Sequence, residues 1–332
     1  MKEDEIIQLA IENLQKNSGI IANWLEENNS KGDGQVTIKI EEQILRFTAE
    51  IKQELRNYQL PQIFDQAKQS DHFIVIANHI FPKIKEDFRK RKIAYLEANG
   101  NIYLHHYNTT IWIDTKKPIQ NEKVKDNRAF TKTGLKVIFH FLLNENLINQ
   151  TYREIASQTN VGLGNINYIF NGLKEMGFLI KIDKDNYRLI NKKELLNKWI
   201  DAYSERLQPS IKVGTFRFYK HEDFTNWKTI ALKNGKTWWG GEPAGDLLTG
   251  YLRPAELTLY TNEQRNDIIK NYRLIPDEQG NVKVYKKFWQ YDEVNDNIVP
   301  PILVYTDLIN VDDKRCHETA IKIYEQLIQP NV

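Results

Sequence analysis

The spacing of apolar positions changes several times along the 332-residue chain, and each spacing predicts a different element. Residues 2–27 repeat apolar side chains at helical spacing, which predicts an N-terminal helix over residues 1–29. VTIKI and ILRFTAEIK alternate or cluster β-branched residues, which is typical of strands. HFIVIANHI is almost continuously apolar, the pattern of a strand buried on both faces.

A helix and two more strands continue this pattern. FPKIKEDFRKRKI predicts the helix, and AYLEANGNIYLHHYNTTIWID predicts two strands around an Asn-Gly turn. Strands that alternate with helices favour a compact α/β domain over residues 30–115. The polar segment that follows predicts a linker over residues 116–128.

Residues 129–193 have the pattern of three helices and a hairpin. GLKVIFHFLLNE is the first helix, and Thr151 with Glu154 forms a capping box that begins the second at Tyr152. Val161 stands where a helix-turn-helix needs an apolar residue between its helices. The buried stripe of the third helix is predicted to be Ile166, Ile169, Phe170 and Leu173. The third helix ends at Gly177 and two strands follow, so the sequence predicts a winged helix-turn-helix.

Residues 200–332 predict a C-terminal α/β domain. WWGGEPAGDLLTGYLRP is a glycine turn and a short helix that begins near Pro243 and is stopped by Pro254. Glu242 at the start of that helix interacts favourably with its dipole. PPILVYTDLI predicts a buried strand and HETAIKIYEQLI a closing helix. The expected fold class is therefore a mixed α+β multidomain protein.

Composition narrows the class of protein. With 41% hydrophobic and 27% charged residues the chain is typical of a globular protein. No run approaches the ~20 apolar residues of a membrane span, and MKEDEIIQLA is unlike a secretory signal. The single cysteine, Cys316, suits a reducing bacterial cytoplasm. No Cys/His spacing indicates zinc, so we expect neither a metal site nor a cofactor.

The charge of the central region favours DNA as a partner. Residues 131–193 carry nine lysine or arginine residues against five aspartate or glutamate residues, a net charge of +4. The face of the third helix opposite its buried stripe carries several asparagines. An asparagine side chain can form hydrogen bonds with adenine in the major groove of DNA. The residues predicted to face bases are Asn165, Asn167, Tyr168 and Asn171. Those predicted to reach phosphate from the hairpin are Lys181, Lys184 and Arg188.

The front domain carries the residues of a different chemistry. Nucleases of the restriction-endonuclease type place an aspartate near one strand and Glu-x-Lys on the next, and here these are Asp33, Glu50 and Lys52. Alternation along a strand points Glu50 and Lys52 to the same side. The carboxylates would hold Mg²⁺ and the lysine would steady the attacking water. We expect a restriction-endonuclease-like fold with a decayed site, and an active Mg²⁺-dependent nuclease is the alternative.

The densest basic run lies in NHIFPKIKEDFRKRK. As a helix it offers a face for phosphate contacts or, equally, a solvated amphipathic surface. The residues that could contact phosphate there are Lys83, Lys85, Arg89, Lys90 and Arg91.

Most of the chain resembles the bacterial AbiEi-like transcriptional regulators, the antitoxins of type IV toxin–antitoxin (abortive infection) systems. The resemblance is carried by FIVIANHIFPKIKEDFRKRKIAYLEANGNIYL, by the predicted winged helix, and by WWGGEPAGDLLTGYLRPAELTLYT, PPILVYTDLI and RCHETAIKIYEQLI. It implies a repressor that binds its own promoter. It also implies a C-terminal region that opposes a toxin resembling a nucleotidyltransferase. The front domain departs from the simplest antitoxin layout.

Three hypotheses follow. The first is a DNA-binding regulator of antitoxin type whose partners are double-stranded DNA and a nucleotidyltransferase-like toxin. The second is the Mg²⁺-dependent nuclease, and the third is an adaptor whose winged helix and aromatic C-terminal face hold other proteins.

Overall fold

The computed structural model describes residues 3–25, 32–40, 42–55, 59–70, 72–107, 109–116, 127–183, 186–290 and 297–329. The chain divides into two compact units, Met1–Lys125 and Asp126–Val332. No helix in the described part combines the length and the apolar character needed to cross a bilayer.

The first unit is a mixed sheet with helices on both faces. Its elements are α1 Glu3–Ser18, β1 Ile21–Leu25, β2 Gly34–Ile40, β3 Gln43–Glu54, α2 Leu60–Lys68, β4 Phe73–His79, α3 Pro82–Lys90, β5 Ala94–Glu97, β6 Ile102–His106 and β7 Thr109–Ile113. Its described strands form one sheet in the order β1-β2-β3-β4-β5-β6-β7. Strands β3, β4 and β5 are parallel to one another, and α2 and α3 are the helices that connect them. The other neighbouring strands are antiparallel.

Strand β4 is buried on both faces, as its apolar run predicts. Ile74 and Ile76 belong to a core cluster beneath α1. Phe73, Val75 and Ala77 belong to a second cluster that includes residues of α2 and α3. Alternation along one strand therefore supplies both layers of the core. The predicted pair of strands around the Asn-Gly turn is extended by a third, β7, which pairs with β6.

The prediction of one helix through residue 27 is wrong, because the helix ends at Ser18 and the chain turns at Gly19 with a φ of +75°. Residues beyond it form β1, whose partner is β2. Trp24 lies against Gly34, where a Cβ atom would collide with its ring. A left-handed glycine ends a helix easily, so apolar positions after it can belong to a strand.

The second unit contains the predicted three helices and hairpin, followed by a five-stranded sheet. Its elements are α4 Lys132–Leu143, α5 Tyr152–Thr159, α6 Leu163–Glu175, β8 Leu179–Lys181, β9 Tyr187–Leu189, α7 Lys192–Ala202, α8 Gln208–Ile211, β10 Lys212–Phe218, α9 His221–Thr225, β11 Thr237–Gly240, α10 Gly241–Thr249, β12 Leu257–Thr261, α11 Arg265–Asn271, β13 Leu274–Pro276, β14 Val282–Lys286, α12 Pro301–Ile309 and α13 Lys314–Ile323. Within the described residues the larger sheet has the order β11-β12-β14-β10-β13, and β8 pairs with β9.

The C-terminal segment PPILVYTDLI is the helix α12, so its interpretation as a strand is wrong. Every residue from Ile302 to Ile309 is buried, and burial on all sides removes the period that distinguishes a helix from a strand. Helix α10 ends at Gly250 with a φ of +65°, before the predicted stop at Pro254.

Helix α7 joins the two predicted domains of this unit into one core. Trp199 stacks on Phe139 of α4 with ring centroids 5.2 Å apart, and its indole donates to the Leu135 carbonyl at 2.8 Å. The same hydrophobic cluster continues through Tyr203 to Tyr260 and the larger sheet. Residues 129–193 therefore rest on residues 200–332 through a shared apolar interior.

Candidate nucleic-acid interface

The turn between α5 and α6 is built by local sequence. Thr151 accepts a hydrogen bond from the Glu154 amide, and the Glu154 carboxylate accepts one from the Thr151 amide at 2.9 Å. Asn160 ends α5 in the left-handed conformation with a φ of +50°. Val161 then packs against the core. Asparagine tolerates this conformation better than other L residues, and the chain can turn into α6 without strain.

Helix α6 has one face committed to the core. Its buried side chains are Ile166, Ile169, Phe170 and Leu173. Phe170 lies within an aromatic cluster formed by Phe141, Tyr152 and Tyr187. Asn127 donates to the Gly172 carbonyl at 2.9 Å and holds the far end of the helix. The helix is therefore fixed in place by packing on its inner side.

The opposite face of α6 carries the amides. Asn165, Asn167, Tyr168 and Asn171 are all exposed, with Tyr168 at 60%. Among the residues that the structure describes, Asn165 donates only to the Gly162 carbonyl at the start of α6, at 3.4 Å. Among described residues, the side chains of Asn167, Tyr168 and Asn171 form no hydrogen bond. A rigid helix thus presents donors and acceptors to solvent.

The hairpin β8–β9 lies beside this helix and carries exposed cations. Lys181 and Arg188 are exposed, while Lys184 lies outside the described residues. The Tyr187 amide donates to Asn149 at 2.7 Å, and Lys174 of α6 lies 4.5 Å from the Tyr187 ring centre. These contacts anchor the hairpin to the segment after α4 and to α6.

In the first unit the three residues of the nuclease hypothesis lie together. The Asp33 carboxylate accepts a hydrogen bond from the backbone amide of Ile51 at 2.7 Å. Ile51 is the residue between Glu50 and Lys52 on β3. Lys52 Nζ lies 2.6 Å from Glu50 Oε1, which places both side chains on one face of β3. Gln66 of α2, which the sequence did not single out, donates to Glu50 Oε2 at 3.2 Å. No group of three His, Cys, Asp or Glu side chains within the described ranges is arranged to hold a metal ion.

The basic run of α3 is largely engaged within its own unit. Lys85, expected at the surface, is buried and contacts Glu97 and Asp114, each at 2.6 Å. The Arg89 guanidinium lies 4.6 Å from the Trp112 ring centre. The remaining cations are placed with Lys90 against Glu86, Arg91 over Phe64 and Lys83 exposed. Ile84 and Phe88 face the core, and Lys85 lies at the edge of that buried face of α3, so its side chain is buried as well.

Glu97 is the centre of a buried network that the sequence analysis missed. Its carboxylate accepts from the Ile80 amide at 2.7 Å and from Asn101 at 2.9 Å, and it contacts His79 at 3.0 Å and Lys85. Burial opposes ionisation, but these hydrogen bonds outweigh it and lower the pKa of Glu97 to about 2. A glutamate inside the apolar strand YLE is the signal that could have revealed it.

A second buried carboxylate, Asp307, has a raised pKa, whereas that of Glu97 is lowered. Tyr260 donates to both its oxygens, at 2.9 and 3.0 Å, and the Gly241 amide donates at 3.2 Å. Tyr203 lies 2.8 Å from the Tyr260 hydroxyl. Burial raises the pKa of Asp307 to about 7, and the hydrogen bonds from Tyr260 and Gly241 only partly offset it. In the sequence Asp307 lies within PPILVYTDLI, the segment predicted to be a strand, and nothing in that pattern indicated this network.

Residues 188–329 match a family model described as "Transcriptional regulator, AbiEi antitoxin, Type IV TA system". The match covers less than half of the chain, and over that region it confirms the resemblance predicted from the sequence. It includes most of β9 and the larger sheet, whereas the first unit and helix α6 lie outside it. Neither a curated protein sequence nor a solved structure matches the chain.

Proposed function

We propose that the protein is a DNA-binding transcriptional regulator of antitoxin type. In this proposal residues 129–193 act as a winged helix-turn-helix, α6 enters the major groove and β8–β9 is the wing. The observation that carries it is the exposed, uncommitted amide face of α6 on a helix whose other face is locked in the core. The family match over residues 188–329 supports the regulatory class.

The chemistry of the exposed residues fits this role. An asparagine side chain can donate to and accept from the major-groove edge of adenine at the same time. Asn167 and Asn171 are four residues apart, so one turn of helix separates them and both can face the same groove. Lys181, Lys184 and Arg188 would contact phosphate from the wing, adding affinity without sequence preference.

Binding to the promoter of its own gene is the direct test. We expect purified protein to bind a labelled fragment from that promoter in fluorescence anisotropy, with affinity that falls as salt rises. A scrambled fragment of equal length is the control. Absence of salt-dependent binding to any duplex would end this proposal and favour the protein-docking adaptor.

The toxin partner is part of the same proposal. The matching family model is described as an antitoxin of a type IV toxin–antitoxin system, which implies a toxin partner. We infer that residues 200–332 oppose a nucleotidyltransferase-like toxin encoded beside this gene. Co-expression should restore growth to cells that express the neighbouring gene alone. A truncation is not a suitable control because α7 joins both halves of the unit through one core, so the Asn167→Ala, Asn171→Ala double variant serves instead. It should still restore growth, since α6 is proposed to contact DNA.

A second candidate function, an Mg²⁺-dependent nuclease in the first unit, is favoured by one specific observation. Asp33, Glu50 and Lys52 converge on one short stretch of β3, the set that this chemistry uses. Asp33 and Glu50 would hold the ion, and carboxylate oxygens are the ligands that Mg²⁺ prefers. Gln66 adds a buried Oε1 atom without a hydrogen-bond partner among described residues.

This second proposal is tested by cleavage and by binding. Wild-type protein should nick plasmid DNA in Mg²⁺, and Glu50→Gln should not. Mg²⁺ should also raise the melting temperature of the wild type and leave that of Glu50→Gln unchanged. Glu86→Gln, an exposed glutamate of α3, is the matched control and should behave as wild type in both assays. Equal nicking by all three proteins, or none by any, would remove the nuclease.

A further inference from the structure

The exposed face of α6 carries a large apolar side chain beside its amides. Leu163, the first residue of the helix, is 49% exposed, although a leucine side chain gains free energy when it leaves water. Asn167 follows it by four residues, so the two side chains are neighbours on the helix surface. A helix fixed to the core on its inner side therefore presents an apolar group and an amide side by side.

Gly164 adds a second, independent observation on the same face. It follows Leu163, it is exposed, and it shares the outer face of α6 with Asn171, seven residues further on. A Cβ atom added at Gly164 would meet no atom of the described residues within 4 Å, so alanine would fit there and would favour the helix. Glycine instead lets another molecule approach the backbone closely. Its position points to a ligand that packs against this turn of α6.

The chemistry of this surface fits a DNA site that contains A·T base pairs. An asparagine side chain can bond adenine, and the 5-methyl group of thymine is an apolar feature of the major groove. Four residues of helix rise about 6 Å, and neighbouring base pairs are about 3.4 Å apart. Leu163 and Asn167 can therefore reach base pairs no more than about two steps apart. The net charge of +4 on residues 131–193 is complementary to the phosphates around such a site.

We propose that Leu163 contacts the 5-methyl group of a thymine near the adenine that Asn167 bonds, and that Gly164 leaves room for this close approach. The inference rests on the proposed function and deepens it, because it names bases that the regulator reads. It makes Leu163 a specificity-determining residue, since cytosine lacks the methyl group and offers no such apolar contact.

The test removes the methyl group from the DNA and the leucine from the protein. In the shortest fragment of the protein's own promoter that keeps full affinity, each thymine is replaced in turn by deoxyuridine, which pairs identically but lacks the 5-methyl group. At least one replacement should weaken wild-type binding about fourfold, because burying a methyl-sized group is worth about 0.8 kcal/mol. The same replacement should leave the affinity of Leu163→Ala unchanged, since the contact is already lost.

A matched control uses another leucine of the same unit. Leu247→Ala removes a leucine of α10 that is 41% exposed, and this variant should respond to deoxyuridine as the wild type does. A base analogue locates the adenine. Replacing an adenine within about two base pairs of that thymine by 7-deazaadenine, which lacks the N7 acceptor, should weaken the wild type but not Asn167→Ala.

Gly164→Ala separates contact with DNA from damage to the fold. It should raise the melting temperature, because alanine is the better helix former. It should also weaken binding to the promoter about tenfold or more, because the added methyl group overpacks the contact with DNA. Stability and affinity would then change in opposite directions, which a loss of folding cannot produce.

Three outcomes would overturn the inference. Wild-type binding that no deoxyuridine weakens would show that no methyl group is contacted. An equal loss in the wild type and Leu163→Ala would assign the methyl contact to another residue, and unchanged affinity of Gly164→Ala would show that the duplex stays away from this turn. In each case, lost sequence preference in the Asn167→Ala, Asn171→Ala double variant would leave the proposed function intact. A wild type that binds no duplex would instead defeat the proposed function itself.

Discussion

The Glu97 network of the first unit and the outer face of α6 place polar side chains in opposite situations. Glu97 is fully buried and satisfied by four groups, whereas Asn167 and Asn171 are exposed and satisfied by water. A buried polar group costs free energy unless it is paired, so such clusters stabilise a fold when complete. Exposed amides contribute nothing to stability and are available to a ligand. The comparison distinguishes polar residues that stabilise the fold from polar residues that are available to bind a ligand.

The largest effect is expected at Glu97. Replacing Glu97 with Ala removes the carboxylate shared by the buried Lys85 and the half-buried His79 and leaves the buried Ile80 amide without its acceptor. Although Lys85 keeps its contact with Asp114, the loss should lower the free energy of unfolding by about 3–5 kcal/mol. Urea denaturation followed by circular dichroism measures this. Glu86→Ala, at the exposed surface of α3, should leave the free energy nearly unchanged. Equal effects of the two substitutions would contradict the distinction between buried and exposed carboxylates.

Asp307 sharpens the comparison because its folded-state pKa lies above the ordinary value, at about 7. The contribution to stability is fully present below the ordinary pKa of 3.8, where both states hold the proton. Above it the unfolded chain releases the proton that the folded protein keeps, so the contribution is lost progressively as pH rises from about 4 through about 7. Asp307→Asn imitates the protonated carboxyl and should remove that loss, so the stabilities of the two proteins should diverge by about 1–3 kcal/mol between about pH 4 and 7 and differ by a constant amount above that range. Chemical denaturation at several pH values checks it; parallel curves would show that Asp307 does not titrate there.

Glu97 should give the reverse pH dependence in a separate window. Its pKa of about 2 lies below the ordinary glutamate value of 4.5, so its contribution to stability is present above about pH 4.5 and lost as pH falls toward 2. The pH windows of the two carboxylates barely overlap, and the range between about pH 5 and 7 isolates Asp307.

A smaller effect is expected at the start of α5. Thr151→Ala removes the capping box and should cost about 0.5–2 kcal/mol of stability. Thr151→Ser keeps the hydroxyl and should retain most of it. Thermal unfolding of the three proteins measures the difference, and a loss of the same size in both variants would show that the cap contributes little.

The smallest effect has the opposite sign. Asn165, Asn167 and Asn171 lie on the exposed face of α6, and alanine is the better helix former. Each Asn→Ala substitution should therefore stabilise the protein by roughly half a kcal/mol. A destabilisation in urea denaturation would mean that these amides are structural after all.

Local signals explain what could be predicted from the sequence. The cap at Thr151 and the turn at Gly177 depend on neighbouring residues. The predicted start of α5 at Tyr152 is confirmed, and α6 ends at Glu175, just before the predicted end at Gly177. Non-local features could not be predicted in this way. Glu97 meets His79 and Lys85 only after β4 and α3 place them, and α12 loses its helical period because all its sides are buried.

The candidate site also has local features that the sequence predicts and non-local features that it does not. The exposed face of α6 follows from helical spacing alone. The attachment of the hairpin could not be foreseen, since Asn149 and Tyr187 are far apart in sequence and meet only when β8–β9 packs beside the helices. Gln66 joins Glu50 across a strand crossover for the same reason.

The central claim is that the amide face of α6 recognises DNA sequence. The most direct measurement is the ratio of affinities for the protein's own promoter site and random duplex, compared between wild type and the Asn167→Ala, Asn171→Ala double variant. Each lost base contact should cost about 1–3 kcal/mol of discrimination, so the ratio should fall by at least about tenfold while binding to random DNA persists. Asn262→Ala, an exposed asparagine elsewhere in the unit, should keep the wild-type ratio. An unchanged ratio in the double variant would contradict the account.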